Sequence, residues 1–351
     1  MTDGATPQLP RPSRLGLLRP PSARWWPGAA LAGLTLLAPV ALTDSQLTVY
    51  VDIALFTAVV SGLSLLMGFA GQVSLGQGAF FAIGAYSAAL LAKRAGVPPL
   101  AALAFAAALT AAIAALVGLP LLRLRGHYLA FATLAFHLIV LSVIGEASGL
   151  TGGDTGLPGI PTLSLGPVAL TGSERTFAFA YVAWGLAAGT ILFNRNLVHS
   201  RPGRGLRALA TSEVGAVSVG VPVVRYKLKV FALSAAYAGL AGGVYGYFVS
   251  YIAPGSFPIL LSIQFLIMAA VGGLRSVWGA PIGAAIVFLT VQVLAAAGTL
   301  PGMPLQAPAI FSYAVYAVVL ILIVLLLPQG IVPSLDAWVA RLRRRRFTLS
   351  A

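Results

Sequence analysis

Residues 53–92 read IALFTAVVSGLSLLMGFAGQVSLGQGAFFAIGAYSAALLA, forty positions without an Asp, Glu, Lys or Arg. About 20 apolar residues cross the hydrocarbon core of a bilayer, so a run of this length is two membrane spans joined within itself. The join falls where Gly68, Gly71, Gly76 and Gly78 cluster with Gln72, Ser74 and Gln77. Two readings of that join are open. The chain unwinds at membrane depth, which is tolerated only where protein or a water-filled cavity satisfies the backbone, or it makes a plain tight turn at one surface.

Outward from this stretch, the rare charges keep marking off spans. Uncharged runs cover 25–43, 95–122, 126–145 and 176–194, enough for one span each, and 230–274 and 276–335, enough for two each. The 230–274 run divides near Pro254 and Pro258, and the 276–335 run at 298–308. The expected fold is therefore an all-α integral membrane protein, a polytopic bundle of about ten transmembrane helices. Composition agrees, since 59% of the 351 residues are hydrophobic and 9% charged, where soluble domains carry about 25% charged residues.

Basic residues set the orientation, because loops on the cytoplasmic side retain Lys and Arg. With both termini cytoplasmic, 19 of the 22 basic residues lie inside, leaving Lys93, Arg94 and Arg175 outside. The expected organisation is a basic tail over 1–24, a membrane domain over 25–335 and a second basic cytoplasmic tail over 336–351. An outer loop at 147–175 and an inner loop at 195–229 interrupt the spans. Neither loop is long enough for a soluble domain. The net charge of +14 is assigned to anionic lipid headgroups. Nucleic acid is not expected, since no aromatic platform for bases interleaves with the basic residues.

Chemistry is sparse. The chain has no cysteine, three histidines and eight acidic residues, and no HExxH or comparable metal-ligand spacing. No Gly-Lys dipeptide occurs, so the phosphate loop of an ATPase is absent. The expectation is a non-enzymatic transport subunit that binds no cofactor itself. Asp52 and Glu146 are placed at span ends, where water can solvate them. His137, with Thr133 one turn earlier, either lines a pathway or is a neutral histidine bonded between helices. Gly242 with Gly246 and Gly279 with Gly283 have the spacing of close helix contacts.

On the inner loop, Leu206, Leu209, Ala210, Val214 and Val217 recur on one face of a short helix. Arg204 and Arg207 lie beside that face, and Gly220 and Pro222 end the helix. Glu213 falls on the apolar side, an awkward place on lipid but suited to a protein groove that offers a cation. The plainer alternative is a solvated juxtamembrane helix.

Several stretches together resemble the inner-membrane permease subunits of branched-chain amino acid ABC importers, of the LivM type. The most specific is GFAGQVSLGQGAFFAIGAY (68–86), joined by TGGDTGLPGIP (151–161), RYKLKVFALSAAYAGLAGG (225–243) and VGGLRSVWGAPIGA (271–284). Glu213, Gly215, Ala216 and Gly220 are similar to the family's coupling segment, with Gly215 where that pattern has Ala.

The resemblance implies a bacterial inner-membrane importer. Its other parts are a homologous second permease, two cytoplasmic ATPase subunits that bind ATP and Mg, and an extracytoplasmic binding protein. It makes Arg204, Arg207, Leu209, Glu213, Gly215, Ala216, Val217 and Gly220 the ATPase-coupling residues. Gly71, Gln72, Ser74, Gln77, Thr133, His137, Thr151, Gly152 and Gly153 become candidates for the substrate pathway. The implied substrate is leucine, isoleucine or valine. Alternatives are urea, short amides or other amino acids, or a secondary transporter with the same composition.

Overall fold

The computed structural model describes residues 38–124, 126–165, 168–169 and 175–297, together with 33, 314, 318 and 330–334. It divides into two units, Met1–Ala41 and Leu42–Ala351; the first is helical over 38–41, and all that follows concerns the second. The tails 1–24 and 336–351, most of the first expected span, the break at 298–308 and most of the last span lie outside the described residues.

Four long helices open the second unit: α1 (Asp44–Ala70), α2 (Gln77–Ala95), α3 (Pro99–Leu121) and α4 (His127–Glu146). A single turn, α5 (Ser148–Thr151), and a 3-10 turn (Gly153–Thr155) lead to the short strands β1 (Leu157–Pro158), β2 (Ser164–Leu165) and β3 (Val168–Ala169). Next come α6 (Arg175–His199), α7 (Arg201–Thr211), α8 (Glu213–Ser218) and α9 (Val223–Val249). Strand β4 (Tyr251–Ile252), a 3-10 turn (Pro254–Ser256), α10 (Ile259–Gly272) and α11 (Gly279–Ala297) complete the described order. β1 pairs antiparallel with β4, and β2 with β3.

Local sequence explains the helix ends. Gln46 accepts the Thr43 N–H at the start of α1, half of a capping box. Gly71 (φ 66°) and Gly96 (φ 61°) close α1 and α2 in the left-handed region that glycine reaches without strain. Pro98 and Pro99 start α3, where a missing N–H costs nothing.

Among the described residues, six helices are long and apolar enough to cross a membrane: α1, α3, α4, α6, α9, and the 3-10 turn with α10. α2 and α11 are also helical, so each expected span inside the described residues has a helix. The starts differ. A parse that ends each span at a charge starts α1 after Asp52, yet α1 begins at Asp44 and carries Asp52 two turns inside. Asp52 is thus not at a helix end: its Oδ1 is buried, with no hydrogen-bond partner among the described residues. Likewise α9 starts at Val223 and includes Arg225, Lys227 and Lys229 in its first turns.

α1 and α9 form the centre. α9 packs on α1, α2 and α3, and α1 also holds α6, α10 and α11. Both are apolar on most sides, as a helix inside a bundle must be. The α2–α9 contact depends on glycine: a Cβ on Gly242 would stand 1.9 Å from the Phe81 carbonyl oxygen, and one on Gly84 2.1 Å from that of Gly239. Gly283 approaches the Met268 oxygen between α10 and α11 in the same way. Gly246, in contrast, has ordinary room. Apolar side chains point outward from the rim helices, among them Leu116, Phe131, Ile139 and Val143, the surface a bilayer stabilises.

Candidate functional site

The Gly-rich join is not a tight turn. Gln77 Nε2 donates to Ser234 Oγ at 3.0 Å, and a Cβ on Gly62 would stand 3.0 Å from that same oxygen. The Gln77 side chain therefore reaches the level of Gly62, eight residues above the end of α1, which is about 12 Å at 1.5 Å per residue. The segment 71–76 runs without helix against Thr133 of α4 before α2 begins, so α2 starts inside the bundle, with Gly78 against Ser262 and His137.

Side chains take over the work of the missing helical hydrogen bonds. Thr133 Oγ1 accepts the Leu75 N–H at 2.9 Å, Ser74 Oγ the Gly76 N–H at 3.3 Å, and Ser262 Oγ the Gly78 N–H at 2.9 Å. Ser262 Oγ also shares a hydrogen with His137 Nδ1 at 2.9 Å. Gln72, Ser74, Gln77, Thr133 and His137 are all buried. Gln72 Oε1, Gln77 Oε1 and His137 Nε2 have no partner among the described residues, an uncommon state for buried polar atoms. His137 is bonded between helices, α4 to α10, lies against the Phe257 backbone, and faces Gly78 in the first turn of α2. Thus Ser74, Gln77, Thr133 and His137 come together around the start of α2, with Gly71 and Gln72 at the segment's other end.

Thr151, Gly152 and Gly153 lie elsewhere, beyond the end of α4. Thr151 Oγ1 donates to the Ile144 and Ala147 oxygens at 2.6 and 2.9 Å and accepts the Gly153 N–H at 3.2 Å. A Cβ on Gly152 (φ 82°) would stand 2.0 Å from the Gly156 oxygen. The three basic residues expected outside are all engaged at this end. Lys93 donates to the Pro158 oxygen, and Arg94 to those of Gly149 and Leu150. Arg175 donates to the Tyr247 and Phe248 oxygens and to Ser250 Oγ. It thereby caps the last turn of α9, where unpaired carbonyls and the helix dipole favour a cation.

The opposite, basic end holds the expected coupling residues, with one correction. The apolar spacing suggested a single helix, but Ser212 is extended (φ −158°, ψ 122°), dividing α7 from α8, and its Oγ caps α8 by accepting the Gly215 N–H at 3.1 Å. A serine that can cap is a standing alternative to a continuous helix. Glu213 therefore leaves the face of Leu209 and forms an ion pair with Lys227 of α9. The chain itself supplies the cation expected from a partner. Leu209 and Ala216 are buried within the bundle, while Val214, Val217 and Val219 are 81%, 61% and 71% exposed. Arg207 donates to the Val198 oxygen at 2.6 Å, and Arg275 to that of Ala210 at 3.3 Å. Arg204 is exposed, and Gly220 (φ 77°) follows α8.

Gly71 and Gln72 meet this segment: with Leu124, Gly126, Leu129, Glu213 and Lys227 they line a cavity of about 260 Å³. The unwound segment and the α8 segment share one space. A second buried polar cluster escaped the sequence reading. Asn194 Nδ2 donates to the Ser61 oxygen and to Ser61 Oγ, both at 2.8 Å, and Tyr237 Oη donates to Asn194 Oδ1 at 3.1 Å, tying α6, α1 and α9. Its members are 133 and 43 residues apart in sequence, and the only signal was a polar residue inside each apolar run.

A multi-pass helical bundle with an unwound, polar-lined segment at its centre is the architecture of a membrane transport subunit. The chain belongs to the family described as branched-chain amino acid transport system / permease component, whose profile matches residues 45–324. It is 32% identical over 268 residues to the high-affinity branched-chain amino acid transport system permease protein LivM of Salmonella typhimurium, covering 70% of this chain and 63% of the relative. It is 34% identical over 250 residues to the LivM protein of Escherichia coli, covering 64% and 59%. A probable branched-chain amino acid transport permease protein LivH of Methanocaldococcus jannaschii is 28% identical over 282 residues, 77% of this chain and 86% of that one. The match thus spans about six-tenths of the length of the two LivM proteins. No solved structure matches the chain.

Proposed function

We propose that this chain is a membrane-spanning permease subunit of an ATP-driven importer of branched-chain amino acids in a bacterial inner membrane. A homologous second permease completes the translocation pathway, an extracytoplasmic binding protein delivers substrate, and two cytoplasmic ATPases supply the drive. The basic end and both termini face the cytoplasm. The observation that carries this is the family match across 45–324, which takes in both the unwound segment and α8. The names of the relatives supply the substrate class.

In this reading α8 is where force enters. Its exposed valines, Val214 and Val217, fit a helix-in-groove contact with an ATPase. Glu213 and Lys227 join α8 directly to the base of α9. Arg207 and Arg275 fix α7 to α6 and to the turn after α10. A push on α8 therefore reaches α9, and through Ser234 reaches Gln77 at the start of α2. Movement there changes what Gln77, Thr133 and His137 present to substrate, so the polar atoms that lack partners become available during the cycle. Thr151, Gly152 and Gly153 lie at the outer mouth, where the binding protein docks.

The test is leucine uptake into proteoliposomes containing this chain, its second permease, the ATPases and the binding protein. Uptake that needs ATP and every component is expected. Gradient-driven uptake by the purified chain alone would instead make it a secondary transporter.

A further inference from the structure

Among the described residues, Asp52 is the acidic side chain carried furthest from any helix end. α1 runs 27 residues, about 40 Å, and Asp52 lies two turns inside it. Its Oδ1 is buried without a hydrogen-bond partner. The residue as a whole is only half-buried, and Ser45 and Thr48, on the same helix face toward the start of α1, are exposed. The basic residues of this end cannot neutralise it, because Lys93, Arg94 and Arg175 are engaged by oxygens of Pro158, Gly149, Leu150 and the end of α9. The ion pair of Glu213 with Lys227 lies at the other end. A carboxylate at membrane depth is costly without a countercharge, and marks a place that a cation visits.

Its neighbours suit a cation. Tyr245 of α9 lies near enough to feel the Asp52 charge and packs against Phe81, with ring centres 5.4 Å apart, and Phe257, at 6.2 Å. Phe56, one turn further along α1 than Asp52, meets Phe81 edge-on at 6.2 Å. Tyr245 is half-buried like Asp52, while the three phenylalanines are buried beneath. A reachable carboxylate bordered by aromatic rings recognises an ammonium group, which pairs with the acid and is attracted by the ring faces.

We propose that Asp52, with Tyr245, takes the ammonium of the amino acid as it enters the pathway and turns anions away, so that the permease itself reads charge. This site is separate from the cluster at the start of α2, since Gly62 is ten residues further along α1, about 15 Å. That the ammonium belongs to a transported amino acid, and that this end is the entrance, rests on the proposed function. The preference for a cation does not.

The absence of native cysteine makes that preference measurable in the full chain in lipid nanodiscs. Thr48→Cys places one thiol on the exposed face, a turn from Asp52. Its modification by a cationic trimethylammonioethyl and an anionic sulfonatoethyl methanethiosulfonate is compared, each rate divided by that reagent's rate with a free thiol. The cationic reagent should react at least about tenfold faster, and adding Asp52→Asn should cut the preference at least about fivefold. Equal rates, no reaction with either reagent, or a preference that survives Asp52→Asn overturns the site. In the assembled complex, Asp52→Asn should lower leucine uptake at least about tenfold while binding-protein-stimulated ATP hydrolysis persists. Asp52→Glu should recover most of the uptake, a pattern that lost packing alone would not give. Uptake by Asp52→Asn at the unmutated rate overturns the assignment to the substrate. A charge preference at Cys-substituted Thr48 in a chain whose complex shows no ATP-driven uptake would instead refute the importer reading and leave the cation site standing.

Discussion

The two ends of the bundle are held differently. At the end that carries residues 147–165, most of the basic residues' contacts run to backbone: Lys93, Arg94 and Arg175 donate to six acceptors, five of them main-chain oxygens. Left-handed glycines at 152, 153, 156 and 159 fix the path. At the basic end Arg207 and Arg275 likewise donate to main-chain oxygens around α7, but α8 is tied to the bundle by buried Ala216 and the half-exposed Glu213–Lys227 ion pair and shows valines to solvent. Backbone acceptors cannot swing away, so the first end is built to keep its shape. The second is built to be moved, and its apolar surface awaits cover.

The contrast can be broken in order of expected effect. Gly152→Val puts a β-branched residue at φ 82° with its Cβ 2.0 Å from the Gly156 oxygen. The backbone strain alone costs about 1–3 kcal/mol, and the clash adds to it, so thermal unfolding of the purified protein should fall by several degrees. An unchanged melting temperature would show that the 147–165 segment is not rigid. Arg175→Gln removes the cap of α9 and leaves its last carbonyls short of a donor. A loss of about 1.5–3 kcal/mol is expected for charged hydrogen bonds of this kind, read as faster hydrogen exchange in residues 245–250. Glu213→Gln should change stability by less than about 1 kcal/mol, since exposed pairs contribute little. In the proposed complex it lowers binding-protein-stimulated ATP hydrolysis while leaving membrane insertion intact. A large stability loss from this substitution, or unaltered hydrolysis, would erase the distinction between the two ends.

Much of the architecture was legible because charge is so scarce. Each uncharged run inside the described residues corresponds to a helix or a pair of helices, and Pro98, Gly71 and Gly96 mark real ends. What misled was the assumption that charge always ends a span. Asp52 is carried inside α1 because protein, not lipid, surrounds that helix, and Lys227 and Lys229 extend α9 below the apolar stretch. The 71–76 join was ambiguous because glycines permit both a tight turn and an unwound strand. Only the depth of Gln77 relative to Gly62 decides between them. Ser212 could be read as part of an apolar periodicity or as a cap, and the cap prevailed. The Asn194, Ser61 and Tyr237 cluster and the role of Ser262 depend on contacts between distant helices, which no local pattern encodes.

The central claim is that α8 receives the partner that drives transport, and the absence of native cysteine allows a clean test of it. In the assembled complex, Val217→Cys is paired with a bifunctional crosslinker reactive to thiols and amines, with Thr155→Cys at the other end of the bundle as the comparison. The account predicts crosslinks from Val217→Cys to an ATPase subunit, changing in yield with ATP, and none from Thr155→Cys to that subunit. Crosslinks to the ATPase from Thr155→Cys, or none from Val217→Cys in a complex that still transports, would contradict it.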